Sequence, residues 1–301
     1  MEDWRRDIGA ALAGLEAECR PDEPLAGHTT LGIGGPADAW VEVRDRAALE
    51  AALGFCRERG VPLTVLGWGS NVLVSDQGLR GVVLRLAGAF EELSADGGRL
   101  RVGAGVRMDA IARFAEEQGL AGVGFLAGIP GSVGGGLQTN AGAYERSLAD
   151  VLVEVELMSR GGEKMTLSGD DLAHGYRSKV VSGDAIAVSV ELEPGRGSAD
   201  PGCDEVLERR RKTQPTEPSA GSFFKNPPGE AAGELIDRCG LKGLRVGGAA
   251  VSKKHANFLV NLGQARCADV RELVQVVKAR VEQRTGIMLE EEVETLPRER
   301  R

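Results

Sequence analysis

Residues 65–78 read VLGWGSNVLVSDQG, and this stretch decides the fold. The apolar run from Val61 to Leu66 predicts a buried strand that breaks at Gly67; Gly67-Trp68-Gly69-Ser70-Asn71 is then a loop leading into a short strand. Glycine permits positive φ and close approach of a ligand, so such a loop can turn successive backbone N–H groups toward a pyrophosphate. A second loop of this kind is Gly128-Ile129-Pro130-Gly131-Ser132-Val133-Gly134-Gly135-Gly136. Taken singly, either one reads as a tight turn between strands. No full GxGxxG opens a helix after a strand and no GxxxxGKS/T occurs, which argues against a Rossmann domain or a P-loop.

Outward from this stretch, Asp45 can cap a helix carrying Leu49, Leu53 and Cys56 and stopped by Gly60, and 82–86 reads as a buried strand. A second unit begins near Arg99 with a strand, then a helix with Ile111, Phe114 and Ala115 on one face, ended by Gly119. After a Gly-rich run over 122–144, Val151/Val153/Val155/Leu157 alternate with Glu154/Glu156, and Ile186/Val188/Val190/Leu192 repeat the period. Both predict strands of a sheet with one wet face. EPGRGSADPG, 193–202, combines Pro, Gly and Ser and marks a linker and domain boundary. Beyond it the pattern predicts a charged helix over 204–212, a helix with Leu235, Ile236 and Cys239 ended by Gly240, and a strand NFLVN. A long helix over 269–285 comes next, with Val270, Leu273, Val274, Val277 and Val281 as its buried stripe and Gly286 as its stop.

Composition bounds the function. A chain of 301 residues, 42% hydrophobic and 27% charged, folds as two or three globular domains. Its 37 Lys and Arg against 45 Asp and Glu leave a formal charge of -8, which repels nucleic acid and acidic membranes, so an anionic ligand must be held locally. Cys19, Cys56, Cys203, Cys239 and Cys267 are odd in number, form no CxxC pair and read as reduced thiols, mostly in the core. Three scattered histidines give no metal-ligand spacing. MEDWRRDIGA has no apolar leader core, and no run approaches the ~18 apolar residues of a membrane span. The expectation is a cytoplasmic protein with no nucleic-acid, membrane or obligate protein partner.

Nine segments in fixed order make the reading specific: HTTLGIGGPAD (28–38), VLGWGSNVLVSDQG (65–78), FLAGIPGSVGG (125–135), NAGAY (140–144), GYRS (175–178), AGSFFKNP (220–227), LKG (241–243), KHANFLVN (254–261) and LEEEV (289–293). Together they closely resemble the UDP-N-acetylenolpyruvoylglucosamine reductase (MurB) family, from about His28 to Val293. The resemblance implies an α+β protein: an FAD-binding domain of the vanillyl-alcohol-oxidase (PCMH) type in two subdomains, 22–90 and 91–198, followed by a smaller α+β substrate domain, 199–296. It also implies non-covalent FAD, NADPH as hydride donor, and reduction of UDP-N-acetylglucosamine enolpyruvate to UDP-N-acetylmuramate for peptidoglycan precursors. Gly67, Gly69, Ser70 and Asn71 would hold the FAD pyrophosphate. Ile129, Pro130, Gly131, Gly134, Thr139, Asn140 and Gly142 would line the cofactor further along.

The same resemblance makes Arg177, Ser222 and Glu292 the catalytic set, and places Tyr144, Lys225, Asn226, Lys242 and His255 near the nucleotide-sugar diphosphate. On their own these residues read as a surface arginine, a turn serine, one of four glutamates in LEEEVE, a packed tyrosine, solvated lysines, a turn asparagine and a surface histidine. Arg209-Arg210-Arg211-Lys212 reads as a solvated helix face. The implied chemistry uses all three catalytic types. Hydride from flavin N5 adds to the terminal vinyl carbon of an enolpyruvyl ether, leaving carbanion character beside the carboxylate. Arg177 and Glu292 would stabilise that charge with preorganised donors, and Ser222 would deliver the proton from a favourable position rather than through a shifted pKa.

Three departures stand out. Glu294 occupies a position where the family often has Arg, Gly136 one where Ala is common, and Ser219 one where Asn often precedes AGS. The span from Tyr176 to Glu193 has no room for the tyrosine-bearing loop of one family branch, so the chain resembles the branch without it. Two other classes compete. A flavin oxidase of the same fold would tether its cofactor through His or Cys, and none sits in the glycine loops. A catalytically silent flavin or UDP-sugar sensor would not need Ser222, Arg177 and Glu292 together.

Overall fold

In the computed structural model, residues 4–168, 171–172, 180–181, 184–195 and 201–298 are described. They fall into two compact units. The first is built from the chain up to Glu23, Asp38–Gly67 and Arg80–Glu208; the second from Pro24–Ala37, Trp68–Leu79 and Arg209 onward.

In the first unit Asp45 caps the helix Arg46–Arg59, its carboxylate accepting from the Ala48 N–H at 2.8 Å, and Gly60 closes the helix at φ 62°. Leu49, Leu53 and Cys56 share a core with Val41, Val82 and Leu84. Those last three come from a sheet ordered Ala17–Pro24, Pro36–Val43, Leu79–Leu86, Leu63–Val65. A second, antiparallel sheet is ordered Lys164–Ser168, Leu152–Met158, Ile186–Leu192, Arg99–Gly103, Leu93–Asp96. Ile186–Leu192 keeps strict alternation of burial, as its sequence predicts. Leu152–Met158 does not: the register slips between Leu152 and Glu154, so Leu152 and Val155 are both buried while Val153 is only half-buried. The helix Met108–Glu117 buries Ile111 and Ala115 with Phe125, Leu126 and Val133, anchoring the second glycine-rich segment.

The second unit has an antiparallel sheet ordered Ser219–Ser222, Phe258–Asn261, Ala249–Val251, Arg245–Val246. The helix Cys267–Thr285 lays its predicted stripe, Val270, Leu273, Val274, Val277 and Val281, against Leu235 and Ile236 of the helix Ala232–Arg238 and against Leu259. Asp76, just beyond the first glycine loop, caps the long helix: its two oxygens accept from Cys267 N–H at 2.8 Å and Ala268 N–H at 3.1 Å. Val72–Val74 pairs in parallel with Glu294–Leu296. Arg209, Arg211 and Lys212 lie on exposed positions of the helix Cys203–Thr213.

All five cysteines are free, and all but Cys19 are buried. Burial pushes the Cys56 thiol up to about 11 and raises those of Cys19 and Cys267, so these three stay protonated and non-nucleophilic near neutral pH. Among the described residues no helix is long and apolar enough to cross a membrane.

Candidate active site

Ser222 ends its strand on an irregularity. Ser219 lies opposite Val260 and Ser222 opposite Phe258, so the serine strand carries one extra residue. Gly221, at φ 79°, takes the left-handed conformation that this bulge uses. Bulges re-aim the side chains beside them. Here the half-buried Ser222 is set against the buried Phe223 and Phe224.

Asn257 fixes the two residues after Ser222. Its carbonyl accepts from Phe223 N–H at 2.7 Å, its Oδ1 accepts from Phe224 N–H at 3.0 Å, and its Nδ2 donates to the Phe224 carbonyl at 2.8 Å. The side-chain amide does for Phe224 what the peptide of a neighbouring strand would do. At 3% exposure it has no water to fall back on. The residue escaped the sequence reading because within NFLVN it reads only as the start of a strand. Asn257→Asp replaces the donor facing the Phe224 carbonyl with an oxygen, and is expected to lower stability by about 1–3 kcal/mol in a urea titration at neutral pH. An unchanged midpoint would mean that the amide does not hold this segment.

On the far side of Phe223 runs the segment that carries Glu292. Glu292 N–H donates to the Phe223 carbonyl at 2.8 Å, Phe224 and Glu291 form an antiparallel bridge, and Lys225 N–H donates to the Glu290 carbonyl at 2.9 Å. Ser222 and Glu292 therefore stand on neighbouring, hydrogen-bonded segments. Arg177 lies outside the described residues.

Of the residues expected near the diphosphate, four belong to this unit. Lys225 pairs with Glu290 at 2.5 Å and Lys242 with Asp237 at 2.6 Å. Asn226 Oδ1 accepts from the Ala232 N–H at 3.0 Å, which satisfies a donor at the start of the helix Ala232–Arg238. His255 is half-buried; its Nδ1 accepts from Asn257 N–H at 3.3 Å and its ring lies edge-on to Phe258 at 4.9 Å. Burial, and then the Lys242 charge, hold its imidazole below the usual value, so it is neutral at pH 7 with a proton left on Nε2 to donate. Glu294 pairs with Arg298, so its carboxylate is already engaged within its own segment.

Tyr144, in the first unit, occupies a strained position. Gly142–Ala143 and Arg146–Ser147 form a hairpin whose two turn residues, Tyr144 and Glu145, have φ of 55° and 61°. A two-residue turn with both residues left-handed normally carries Asn and Gly, so Tyr144 and Glu145 are both held against their local backbone preference. Glu145→Gly is expected to raise stability by about 1 kcal/mol by relieving the left-handed strain, read as a higher Tm; an unchanged or lower Tm would refute the strain.

In the glycine loops, close approach of neighbouring groups accounts for Gly67 and Gly69. Gly67 and the second loop meet: a Cβ on Gly67 would lie 2.6 Å from Ser132 Oγ. Gly69, at φ 58°, closes on the His28 carbonyl, and its own carbonyl accepts from Thr30 N–H at 3.1 Å. Neither loop contains an acidic residue. Among the other candidates, Gly134 N–H donates to the Ala104 carbonyl at 2.9 Å, the Gly131 carbonyl accepts from Met108 N–H at 3.0 Å, and Asn140 Oδ1, in a residue at φ 45°, accepts from Ala149 N–H at 3.0 Å. Ile129 packs on the core, Pro130 and Gly131 come after it in the same loop, and Thr139 Oγ1 lies 3.5 Å from the Gly136 carbonyl.

Comparison with known proteins shows the family. A family model described as UDP-N-acetylenolpyruvoylglucosamine reductase, C-terminal domain, matches residues 214–296, and one described as FAD binding domain matches 37–168. UDP-N-acetylenolpyruvoylglucosamine reductase 2 of Symbiobacterium thermophilum is 46% identical over 279 residues, covering 91% of both chains. The chain belongs to the UDP-N-acetylenolpyruvoylglucosamine reductase family. A family member from Geotalea uraniireducens is 43% identical and covers 97% of each chain. The crystal structure of the reductase (MurB) from Thermus caldophilus superposes with a TM-score of 0.78 at 41% identity, covering 93% of this chain and 99% of that one. The α+β fold with an FAD-binding domain and a reductase C-terminal domain is thus that of the family.

Proposed function

We propose that Ser222 and Glu292, on their adjoining segments, carry proton delivery and charge stabilisation in the reduction of UDP-N-acetylglucosamine enolpyruvate, with Arg177 as the third member of the set. The chain is an FAD-dependent oxidoreductase of peptidoglycan precursor synthesis, forming UDP-N-acetylmuramate. When bound, FAD supplies the two-electron chemistry that links NADPH to the enolpyruvyl double bond. The Ser222 hydroxyl gives its proton to the carbon beside the substrate carboxylate. Glu292 and Arg177 stabilise the negative charge that precedes this transfer. The observation that carries the reading is the 2.8 Å bond from Glu292 N–H to the Phe223 carbonyl, which ties the acid to the serine segment.

Cofactor binding is assigned to Gly67, Gly69, Ser70 and Asn71 at the pyrophosphate and to Ile129, Pro130, Gly131, Gly134, Thr139, Asn140 and Gly142 beyond it. Lys225, Lys242, Asn226, His255 and Tyr144 are assigned to the UDP-sugar. A diphosphate there would take Lys225 and Lys242 from Glu290 and Asp237. The domain limits are assigned as 22–90, 91–198 and 199–296. The enzyme is assigned to the cytoplasm, where its soluble substrate and NADPH are at hand, without further partners. The test is the visible spectrum of purified protein under anaerobic conditions. Flavin bands should bleach with NADPH and return on addition of the UDP-enolpyruvyl sugar. Bleaching without that return would mean a flavoenzyme of another specificity.

A further inference from the structure

The loop assigned to the cofactor pyrophosphate is built into the segment that carries the acid. Asn71 contributes twice: its Nδ2 donates to the Glu292 carbonyl at 3.1 Å, and its carbonyl accepts from Glu294 N–H at 3.0 Å. The ladder continues as Val72–Val74 pairs with Glu294–Leu296, and Ser75 N–H donates to the Leu296 carbonyl at 2.8 Å. The Glu292 main chain is thereby held on both sides of its Cα, its N–H by the Phe223 carbonyl and its C=O by the Asn71 amide. Backbone pairing with this loop begins at Glu294, two residues beyond the carbonyl that the Asn71 side chain holds. Two strands without a third neighbour among the described residues make a weak ladder, so the Asn71 side-chain bond at its mouth helps to set the backbone from which the acid projects.

We infer that Asn71 is a positioning residue for Glu292, holding the acid's peptide plane in register with the cofactor loop. The inference rests on the role given to Glu292 above. The amide serves the proton-transfer half of the cycle. Asn71 acts through Glu292 and does not itself take part in the chemistry.

The two half-reactions separate these roles. In flavin-loaded Asn71→Ala, bleaching by NADPH, measured per bound flavin, should be slowed much less than reoxidation is. Reoxidation by the UDP-enolpyruvyl sugar should slow by about 10–100-fold, the range for a misplaced catalytic group. Asn71→Ser, which keeps a hydroxyl donor on a shorter arm, should recover part of that loss, and it serves as the test variant if the alanine chain does not fold. Adding Asn71→Ala to Glu292→Gln should slow reoxidation no further than Glu292→Gln alone, because both changes act on one group. Equal slowing of both half-reactions, or multiplicative effects in the double variant, would assign Asn71 to holding flavin and overturn the inference. A slow Glu292→Gln beside an Asn71→Ala that reoxidises normally would overturn the inference and leave the role of Glu292 standing. Normal reoxidation in Glu292→Gln would overturn the role of the acid itself, and the inference with it.

Discussion

Ser222→Ala is expected to bind FAD and be bleached by NADPH like the parent, yet to turn over the enolpyruvyl sugar about 100- to 10,000-fold more slowly, the usual contribution of a general acid. The reason lies in how little else the hydroxyl does. Ser222 sits after a bulge at the end of a four-residue strand, and the segment beyond it is held by Asn257 and by the Glu292 N–H through main-chain groups of Phe223 and Phe224. Removing one oxygen from a half-buried position leaves that scaffold in place, so the lost rate is not a lost fold. Stopped-flow measurement of each half-reaction, with a thermal melt as control, checks it. Near-normal reoxidation by substrate would mean that the proton comes from elsewhere.

Gly69→Ala is expected to be the most damaging single methyl group in the first glycine loop. A Cβ there would lie 2.2 Å from the His28 carbonyl oxygen and 2.8 Å from Thr29 Cα, and φ is 58°. Both obstacles are backbone, which cannot swing aside as a long side chain can. Overpacking of about 1–3 kcal/mol adds to left-handed strain of about 1–2 kcal/mol, so a loss of about 2–5 kcal/mol in urea is expected, with flavin content falling in parallel. Gly97→Ala is the matched control: its φ is 56°, but nothing lies within 4 Å of the added methyl group. It should show the strain alone. If the two variants were equally stable, the close approach at His28 would not constrain the loop.

The sequence declared its elements where one physical cause dominated. Asp45 and Gly60 bracket their helix as expected, and the valine and leucine stripe of Cys267–Thr285 is buried throughout. It was silent where pairing rather than pattern makes a strand. Ala17–Pro24, AECRPDEP, is the edge of its sheet and buries no continuous face, so it carries no alternation to read. In Leu152–Met158 the slip of register broke an alternation that was present in the residues. The site divides in the same way. Glycine clusters announce a close approach to backbone, but the uses of Asn71 and Asn257 depend on partners 221 and 33 residues away, which no local pattern encodes. AGSFFKNP, KHANFLVN and LEEEV were recognisable as motifs, while the bonds that join them were not.

The pairing of Val72–Val74 with Glu294–Leu296 has a consequence for biosynthesis. The loop that precedes Val72 leaves the ribosome first, and the carbonyl that Asn71 holds is added to the chain 221 residues later. Until that segment emerges, Asn71 has no Glu292 to hold and the ladder beside the loop cannot close. Closing of that ladder therefore waits for the far end of the chain, and a chain released before residue 294 would carry the glycine loop without its clasp.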